Sequence, residues 1–260
     1  MTEMGVFLKV RIRGAVEALS PLHVGAPSST SPLERDNPVV KDGLGRPYIP
    51  GSSLKGALRS RVESILRGLG GPNAACDVLD TGCVDKRTAE EFTRNPAATL
   101  PKLIGQLCPV CRAFGSPWFA SPLRFGDLYP EGPVRLETRT GVAIDRDRLT
   151  AASRRLFTLE VVPVGTTFRL DIRGERVDGQ SLGLLWLALR EFESDGFLGG
   201  GRSRGLGRVR IKDLNCEGLR NLTDLRLNLV DPAYWPQVAA EDLDQLAYNG
   251  LGPEEGEGRV

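Results

Sequence analysis

The sequence has little histidine, an odd number of cysteines and no long hydrophobic run. A single histidine, His23, excludes His-rich metal centres and leaves one candidate for a histidine-based triad. Five cysteines argue against the paired disulfide framework of a small secreted protein. No run of 18 apolar residues exists, and the opening stretch carries charge where a signal peptide would be apolar. These absences predict a soluble, cytoplasmic protein that has no membrane partner.

Charge is balanced over the whole chain but unevenly distributed. The 260 residues carry 34 Lys and Arg against 33 Asp and Glu, a net charge of +1. Residues 231–260 hold seven acids against Arg259 alone, so this tail is −6 and the remainder is +7. A basic body with an acidic tail is compatible with a polyanionic partner, although charge alone does not demonstrate one.

Hydrophobic periodicity predicts a mixed fold. Alternation over residues 6–13 is typical of a half-buried strand whose other face is basic with one aromatic, Phe7. Residues 51–66 and 182–192 have helical spacing, the second with Trp186 in the core, and residues 156–172 and 208–211 read as strands. The order strand, helix, strands, helix, strand predicts an α+β fold: a ferredoxin-like or RRM-like antiparallel sheet with helices on one side.

The chain divides into four expected segments. Residues 1–67 form the first part of the RRM-like core, including a long loop between residues 20 and 50. Residues 68–120 form a Cys-containing insertion, called here the cysteine insertion. Residues 121–217 complete the core and include a basic arm at about 135–155 and a Gly-rich loop at 199–207. Residues 218–260 form an acidic C-terminal extension.

The start of the first predicted helix is a candidate phosphate site. Ser52 or Ser53 can cap this helix, and the free amides of a helix N-terminus attract anions. Lys55 and Arg59 lie one turn apart beside the apolar stripe. An ordinary capped helix with a solvated charged face explains these residues equally well.

The glycine cluster between residues 196 and 207 is a second candidate. It follows a helix and precedes a strand, and Arg204 replaces the last glycine of a dinucleotide fingerprint, which excludes a Rossmann site. The backbone around Gly200 and Gly201, with Arg202 and Arg204, can approach phosphates. A tight helix-to-strand turn is the alternative; the arginines favour the ligand interpretation.

Four cysteines suggest a metal site. Cys108 and Cys111 form a C-x-x-C pair, and Cys76 and Cys83 precede them. Four thiolates from two loops can hold a structural zinc ion. The irregular first spacing leaves two alternatives, a zinc completed by another ligand or buried free cysteines. Cys216 is expected in the core.

For two further residues, the sequence pattern alone favours an ordinary structural role. Asp36 precedes Asn-Pro, which is typical of a turn former. His23 can contact a ligand or act as a base near neutral pH, but a lone histidine is more often structural.

Several motifs together resemble a known family. They are residues 22–25 (LHVG), 36–39 (DNPV), 48–56 (YIPGSSLKG), 108–115 (CPVCRAFG), 141–146 (GVAIDR) and the loop 199–207. From about residue 6 to residue 212 the sequence resembles the RAMP-superfamily backbone subunits of type III CRISPR (Csm/Cmr-like) effector complexes. The acidic tail lies outside the resemblance.

The resemblance implies a function and a set of site residues. It implies a subunit that binds CRISPR guide RNA and cleaves complementary target RNA at regular intervals, with Asp36 as the catalytic residue and Mg²⁺ or another divalent ion as cofactor. The basic arm resembles a thumb hairpin, expected at about residues 142–151, and zinc would be structural. The expected RNA contacts are His23, Ser52, Ser53, Lys55, Arg59, Arg139, Arg146, Gly200, Gly201, Arg202 and Arg204.

The implied partners are guide RNA, target RNA, copies of this chain and other type III effector subunits. Two alternatives stay open at the level of sequence: a non-catalytic RNA-binding scaffold of the same complex, or an endoribonuclease that processes the guide RNA.

Overall fold

A computed structural model describes residues 5–26, 37–71, 74–77, 82–145 and 150–251, without the side chains of residues 142–145 and 150–157. In chain order the elements are β1 (Phe7–Ala18), α1 (Gly51–Gly70), α2 (Lys86–Arg94), α3 (Pro96–Gln106), α4 (Pro109–Phe114), β2 (Leu123–Phe125), β3 (Glu137–Asp145), β4 (Thr150–Val161), β5 (Thr167–Val177), α5 (Gly179–Asp195), β6 (Gly196–Phe197), β7 (Arg208–Leu219), α6 (Leu222–Val230) and α7 (Ala240–Gly250), with a 3-10 turn at Arg202–Arg204.

The main sheet is antiparallel and has the order β2-β5-β1-β7-β6. Without the two-residue strand β6, the sequence β1-α1-β2-β5-α5-β7 and this spatial order are those of a ferredoxin-like unit. The α+β, ferredoxin-like prediction is therefore confirmed. The basic arm forms the separate two-stranded antiparallel sheet β3–β4, so the predicted hairpin is also present.

The main core lies between one face of this sheet and helices α1 and α5. Ile12 of β1, Leu58 of α1 and Leu185 of α5 are each 0% exposed. The predicted position of Phe7 on a solvated face is wrong, because its side chain is only 2% exposed. The chain after β7 covers it: Arg220 stacks over its ring at 5.1 Å, and Gly218 lies against the ring atoms.

The C-terminal segment returns to the helical layer. Helix α7 approaches α5 so closely that a Cβ on Gly183 would lie 2.2 Å from the carbonyl oxygen of Leu246. Trp186, in the core as predicted, donates its indole N–H to Asp244 Oδ1 at 2.8 Å. The acid-rich tail thus contributes a packed helix, and the acids of this helix are exposed or half-exposed.

The cysteine insertion has a small core of its own, formed by Val84, Ala89, Leu103, Leu107 and Cys111. Its helices begin at clear caps: the side chains of Asp85, Asn95 and Cys108 accept from the amide three residues further on. None of the helices in the described ranges is long and apolar enough to cross a membrane.

Candidate functional site

The four predicted cysteines meet at one point. The sulfur atoms of Cys76, Cys83, Cys108 and Cys111 all lie within 4.8 Å of one another. The Sγ atoms of Cys76 and Cys111 are 3.4 Å apart, and those of Cys76 and Cys108 are 3.9 Å apart. Tetrahedral thiolate ligands about 2.3 Å from one zinc ion would be about 3.8 Å from each other. The donor set and spacing therefore fit a closed tetrahedral metal site.

The thiols of this cluster differ in acidity. Hydrogen bonds from Cys111 and from backbone amides lower the pKa of the Cys108 thiol. Burial raises the pKa of Cys76, and the hydrogen bond with Cys108 raises that of Cys111. One thiolate therefore forms first, and its charge opposes ionisation of its neighbours. A divalent cation bound to all four sulfurs would remove this opposition, because it would hold each of them as a thiolate.

Arg59 connects the cysteine cluster to helix α1. Its guanidinium donates to Glu63 Oε1 at 2.7 Å, to the carbonyl of Gly115 at 2.8 Å and to Cys111 Sγ at 3.5 Å. Two of its five N–H groups remain after these contacts. The structure therefore gives Arg59 an internal role, in addition to the RNA contact predicted for it.

The start of α1 is not capped as predicted. Neither Ser52 nor Ser53 caps the helix, which follows Pro50. Instead the Gly51 amide donates to Asp127 Oδ1 at 2.8 Å, across 76 residues of chain. This carboxylate supplies the negative charge that a helix N-terminus attracts, and it weakens the case for a phosphate on the helix axis.

An open groove lies beside this helix start. Ser52, Lys55 and Arg59 face the chain between residues 114 and 123 across a space of about 620 Å³. Lys55 is half-buried, and burial together with the neighbouring Arg59 lowers its pKa. Among the described residues Lys55 has no ion-pair partner. An ammonium group next to a guanidinium in a groove makes this spot attractive to an anion.

A second group of predicted residues meets at His23. The Gly200 amide donates to the His23 carbonyl at 2.9 Å, so the Gly-rich loop lies directly on the Leu22–Gly25 segment. His23 Nδ1 lies 2.8 Å from the carbonyl of Glu160. A carbonyl only accepts, so Nδ1 carries a proton and donates this hydrogen bond.

Most glycines of the Gly-rich loop are required by the backbone. Gly199, Gly201, Gly205 and Gly207 have φ values between 74° and 83°, a region that residues with a Cβ avoid. A Cβ on Gly199 would also lie 2.2 Å from the carbonyl oxygen of His23. The turn interpretation therefore accounts for these glycines without a ligand.

The arginines of the same loop have no such structural role. Arg202 and Arg204 occupy an exposed 3-10 turn flanked by glycines in the left-handed conformation. Neither forms an ion pair with a residue in the described ranges. Two guanidinium groups without an ion pair in the described part of the chain are thus exposed on this turn, which is what the ligand interpretation requires.

The predicted catalytic residue, Asp36, lies outside the described residues, as does Arg146. Asn37, which follows Asp36 in the sequence, is held against β4: its carbonyl accepts from the Glu160 amide at 3.0 Å, and its Nδ2 donates to the Thr158 carbonyl at 3.3 Å. Arg139 is exposed on β3 and pairs in register with Leu159 of β4.

Glu160 is a site residue that the sequence did not suggest. Its side chain is buried at 5% exposure, accepts from the Val39 amide at 3.2 Å and forms an ion pair with Lys41 at 2.9 Å. It fixes the loop after Asn37 to β4. The only signal in the sequence is a carboxylate within an otherwise apolar strand end, LEVV.

The predicted residues are thus brought together in two groups. His23, Gly200 and Gly201 lie together with β4 and the Asn37 loop, and Ser52, Lys55 and Arg59 share the groove beside α1. The cysteine cluster adjoins the second group through Arg59.

Comparison with known proteins identifies relatives of this arrangement. Residues 15–210 match the model of the RAMP superfamily. The protein called CRISPR system Cms endoribonuclease Csm3 from Methanocaldococcus jannaschii is 27% identical over 220 residues, which cover 79% of each chain. Its namesake from Methanothermobacter thermautotrophicus is 27% identical over 234 residues, 78% of this chain and 83% of the relative. The Enterococcus italicus protein of the same name is 46% identical over 57 residues, 21% of this chain and 27% of the relative.

Proposed function

The chain belongs to the RAMP superfamily, and on that premise we propose that it is a backbone subunit of a type III CRISPR interference complex that cleaves target RNA complementary to its guide. The observation that carries this proposal is the match, over 79% of both chains, to a relative named as a CRISPR endoribonuclease. The ferredoxin-like sheet, the hairpin and the cysteine cluster agree with it. The complex is expected in the cytoplasm, with guide RNA, target RNA, further copies of this chain and other effector subunits as partners.

Cleavage is assigned to Asp36. A target nucleotide displaced from the duplex can align its 2′-hydroxyl with its own phosphate, so that attack forms a 2′,3′-cyclic phosphate and breaks the bond to the 5′-oxygen of the next nucleotide, which takes up a proton from water. The Asp36 carboxylate would accept the hydroxyl proton or hold a divalent ion next to the phosphate. Mg²⁺ suits this position because it binds through few carboxylate oxygens and keeps most of its water, and it would neutralise the charge that develops on the phosphate.

The residues that follow Asp36 in the sequence are bonded to β4. Asn37 is bonded to β4, and Val39 and Lys41 are bonded to the buried carboxylate of Glu160. Strand β4 is also a strand of the hairpin. The residues that follow Asp36 and the hairpin that would displace a nucleotide are therefore attached to the same strand.

RNA contacts are proposed for both groups of site residues. Lys55, with Ser52 and Ser53, would bind guide phosphates in the groove beside α1, while Arg202 and Arg204 offer bidentate contacts from the Gly-rich loop. The RNA backbone would be contacted by His23, Gly200 and Gly201. The duplex along the hairpin would be contacted by Arg139 and Arg146. Arg59 would add its two remaining N–H groups. The protein would recognise the backbone and shape of the RNA, whereas base pairing with the guide would determine which target sequence is bound.

The four cysteines are proposed to hold a structural Zn²⁺ ion. Four thiolates fill the tetrahedral coordination shell, so no position remains for a catalytic water. Arg59 would then donate to a zinc-bound sulfur, which neutralises part of the negative charge of the site.

The function is tested by cleavage of target RNA in the reconstituted complex. Wild type with Mg²⁺ should give regularly spaced cuts that EDTA abolishes, and Asp36→Ala should abolish cleavage while leaving assembly intact. Asp42→Ala is the matched control, because it removes a carboxylate of a nearby turn and should leave the cuts in place. An uncut but bound target with the wild type would make this chain a scaffold. Discrete cutting of free repeat RNA by the chain alone would make it a guide-processing enzyme.

RNA binding in the groove is tested by reversing one charge. Lys55→Glu places a carboxylate where the proposal puts a phosphate, so guide-RNA affinity should fall. The plot of log association constant against log salt should become shallower by about 0.7 to 0.9. Lys86→Glu makes the same charge change at an exposed lysine of α2 and should change neither quantity appreciably. An unchanged slope with Lys55→Glu would remove this groove from the RNA interface.

A further inference from the structure

The face of the main sheet that points away from α1 and α5 is basic. On β1, the outward residues from Arg11 to Glu17 alternate with the buried Ile12 and Val16. We call these outward residues, with those opposite them on β5, β7 and β2, the outer face. Its charged members are seven cations and three carboxylates: Arg11, Arg13, Arg124, Arg169, Arg173, Arg210, Lys212, Glu17, Asp171 and Glu217. The outer face therefore carries a net charge of +4, whereas the whole chain carries +1.

The carboxylates of the outer face are already bonded to its cations. Each lies 2.7 to 2.9 Å from a guanidinium nitrogen, in the pairs Arg11–Glu217, Arg210–Glu17 and Arg173–Asp171. Arg169 is exposed and forms an ion pair with no residue in the described ranges. The excess of cations therefore favours an anionic ligand on this face.

A tyrosine continues the outer face beyond β5, in line with β2. Pro130 forms an antiparallel bridge with Phe168, and the Arg169 amide donates to the Tyr129 carbonyl at 3.0 Å. Tyr129 thus lies opposite Arg169. Because Phe168 points into the core, the next residues on both strands point outward.

A second tyrosine stacks on the first. Ile49 forms an antiparallel bridge with Leu128, which places Tyr48 opposite Tyr129. The two rings have centroids 5.5 Å apart and planes 21° apart, and Tyr129 is 37% exposed. The Arg46 guanidinium lies over the Tyr129 ring at 5.3 Å, with 59% of its side chain exposed. We call Arg46, Tyr48 and Tyr129 the tyrosine edge.

One row of residues joins the tyrosine edge to the basic strands. Ala15 of β1 pairs with Arg169 on one side and with Lys212 on the other. The row therefore runs from Lys212 through Ala15, Arg169 and Tyr129 to Tyr48, over about 19 Å at about 4.8 Å per strand. None of the RNA contacts proposed above belongs to this row.

From this arrangement we propose that the outer face and the tyrosine edge form a second nucleic-acid site, which binds single-stranded RNA outside the groove beside α1. Cations bind phosphates, and stacked aromatic rings accept unpaired bases of any sequence. A base can extend the stack of the two tyrosines, with Arg46 and Arg169 close enough to bind its phosphates.

Two other occupants fit the chemistry of this surface less well. A double helix keeps its bases stacked inside, so it would leave the tyrosines unused. An acidic peptide would bind the cations but would gain nothing from the rings. The choice of RNA over DNA rests on the proposed function, because that function brings RNA to this chain.

Stacking on the tyrosine edge is tested by the affinity of the nuclease-treated full chain for a short labelled oligouridine. All variants carry Lys55→Glu, which weakens the groove beside α1 if the proposed function holds. Tyr129→Ala should lower the affinity by at least about 5-fold, the lower end of what the loss of base stacking costs. Tyr129→Phe keeps the ring and should bind like the Lys55→Glu chain.

The phosphate contact is tested by reversing the charge of Arg169 in the same chain. Arg169→Glu should lower the affinity, and the plot of log association constant against log salt should become shallower by about 0.7. Arg94→Glu makes the same charge change at an exposed arginine of α2 and should change neither quantity appreciably.

The position of the RNA is tested by photo-cross-linking of the wild-type chain. An oligouridine that contains 5-iodouracil should attach to Tyr129 or Tyr48 on irradiation, and mass spectrometry of the tryptic peptides identifies the residue. An oligothymidine of the same length should compete for this cross-link no better than the unlabelled oligouridine.

Four outcomes would overturn the proposal. They are folded Tyr129→Ala and Arg169→Glu variants that bind like the Lys55→Glu chain, cross-links confined to other residues, stronger competition by the oligothymidine, and equal competition by polyglutamate, which would indicate an acidic peptide. Circular dichroism checks that each variant is folded. Guided cleavage tests the proposed function separately: regular cuts without a cross-link at the tyrosines would count against this site alone, and a cross-link without cuts would count against the function alone.

Discussion

The main sheet and the cysteine insertion bury apolar side chains on different scales. In the described residues the main core contains 38 buried side chains, four of which (Ala75, Val110, Ala113 and Phe114) come from the insertion, whereas the separate core of the insertion has five, one of them Cys111. A core of five residues is too small to offset the conformational entropy of three helices, and small units of this kind usually need a metal or disulfides. We therefore expect the part of the insertion around this small core, helices α2 and α3, to depend on the sulfur cluster, while α4 is held by the main core.

The largest expected effect comes from the main core. Phe168 on β5 is 1% exposed, and its replacement by alanine should lower the free energy of unfolding by about 3 to 5 kcal/mol. The denaturant midpoint of the whole chain should fall while the metal content stays unchanged. An equal loss of metal in the folded Phe168→Ala variant would show that the two units are not independent.

Removal of one metal ligand should act on the insertion alone. Wild type purified without chelators should contain about one zinc ion per chain, and Cys76→Ser should contain none. Trypsin should then cut rapidly at Arg87 and Arg94, while circular dichroism of the main sheet persists. Chelation of the wild type should have the same effect.

Cys216→Ser is the matched control for this prediction, because Cys216 is buried in the main core and lies outside the cluster. It should keep the zinc ion and show no new tryptic site. A wild type without metal would indicate buried free thiols instead, and an uncut Cys76→Ser variant would show that the insertion is stable without its cluster.

The smallest effect concerns the first helix of the insertion. Hydrogen bonds from the Thr88 amide and from Gln106 lower the pKa of Asp85 from 3.8 to about 2. A lowered pKa means that this cap stabilises α2 fully above pH 3.8 and is lost as pH falls towards 2. Amide exchange in α2 should therefore rise over this interval in wild type but not in Asp85→Asn. Exchange that rises equally in both would assign the effect to other groups.

The sequence predicted the parts of this molecule that depend on local pattern. The spacing of Leu54, Leu58 and Val62 predicted α1, and the C-x-x-C pair predicted the cluster that Cys76 and Cys83 complete. Phe7 was assigned to a solvated face because alternation gives two faces of a strand but not what covers each of them.

The missed features depend on contacts between distant residues. The α1 amide is bound by Asp127, 76 residues away, and Glu160 binds Val39 across 121 residues. No local pattern encodes such pairs, so the sequence favours the serines as caps and does not distinguish Glu160 from an ordinary strand residue. The site residues that stand on resemblance, above all Asp36, remain predictions.

Both edges of the main sheet are short. Strand β2 has three residues and β6 has two, and where β7 extends beyond β6, residues 236–238 pair with it through the Gly218 and Val238 amides. An edge with few free N–H and C=O groups offers little template for a strand from another molecule. The sheet is thereby protected against growth by edge-to-edge pairing, the usual route to amyloid-like aggregation. If several copies bind one guide RNA as proposed, they can therefore lie close together without polymerising through their backbones.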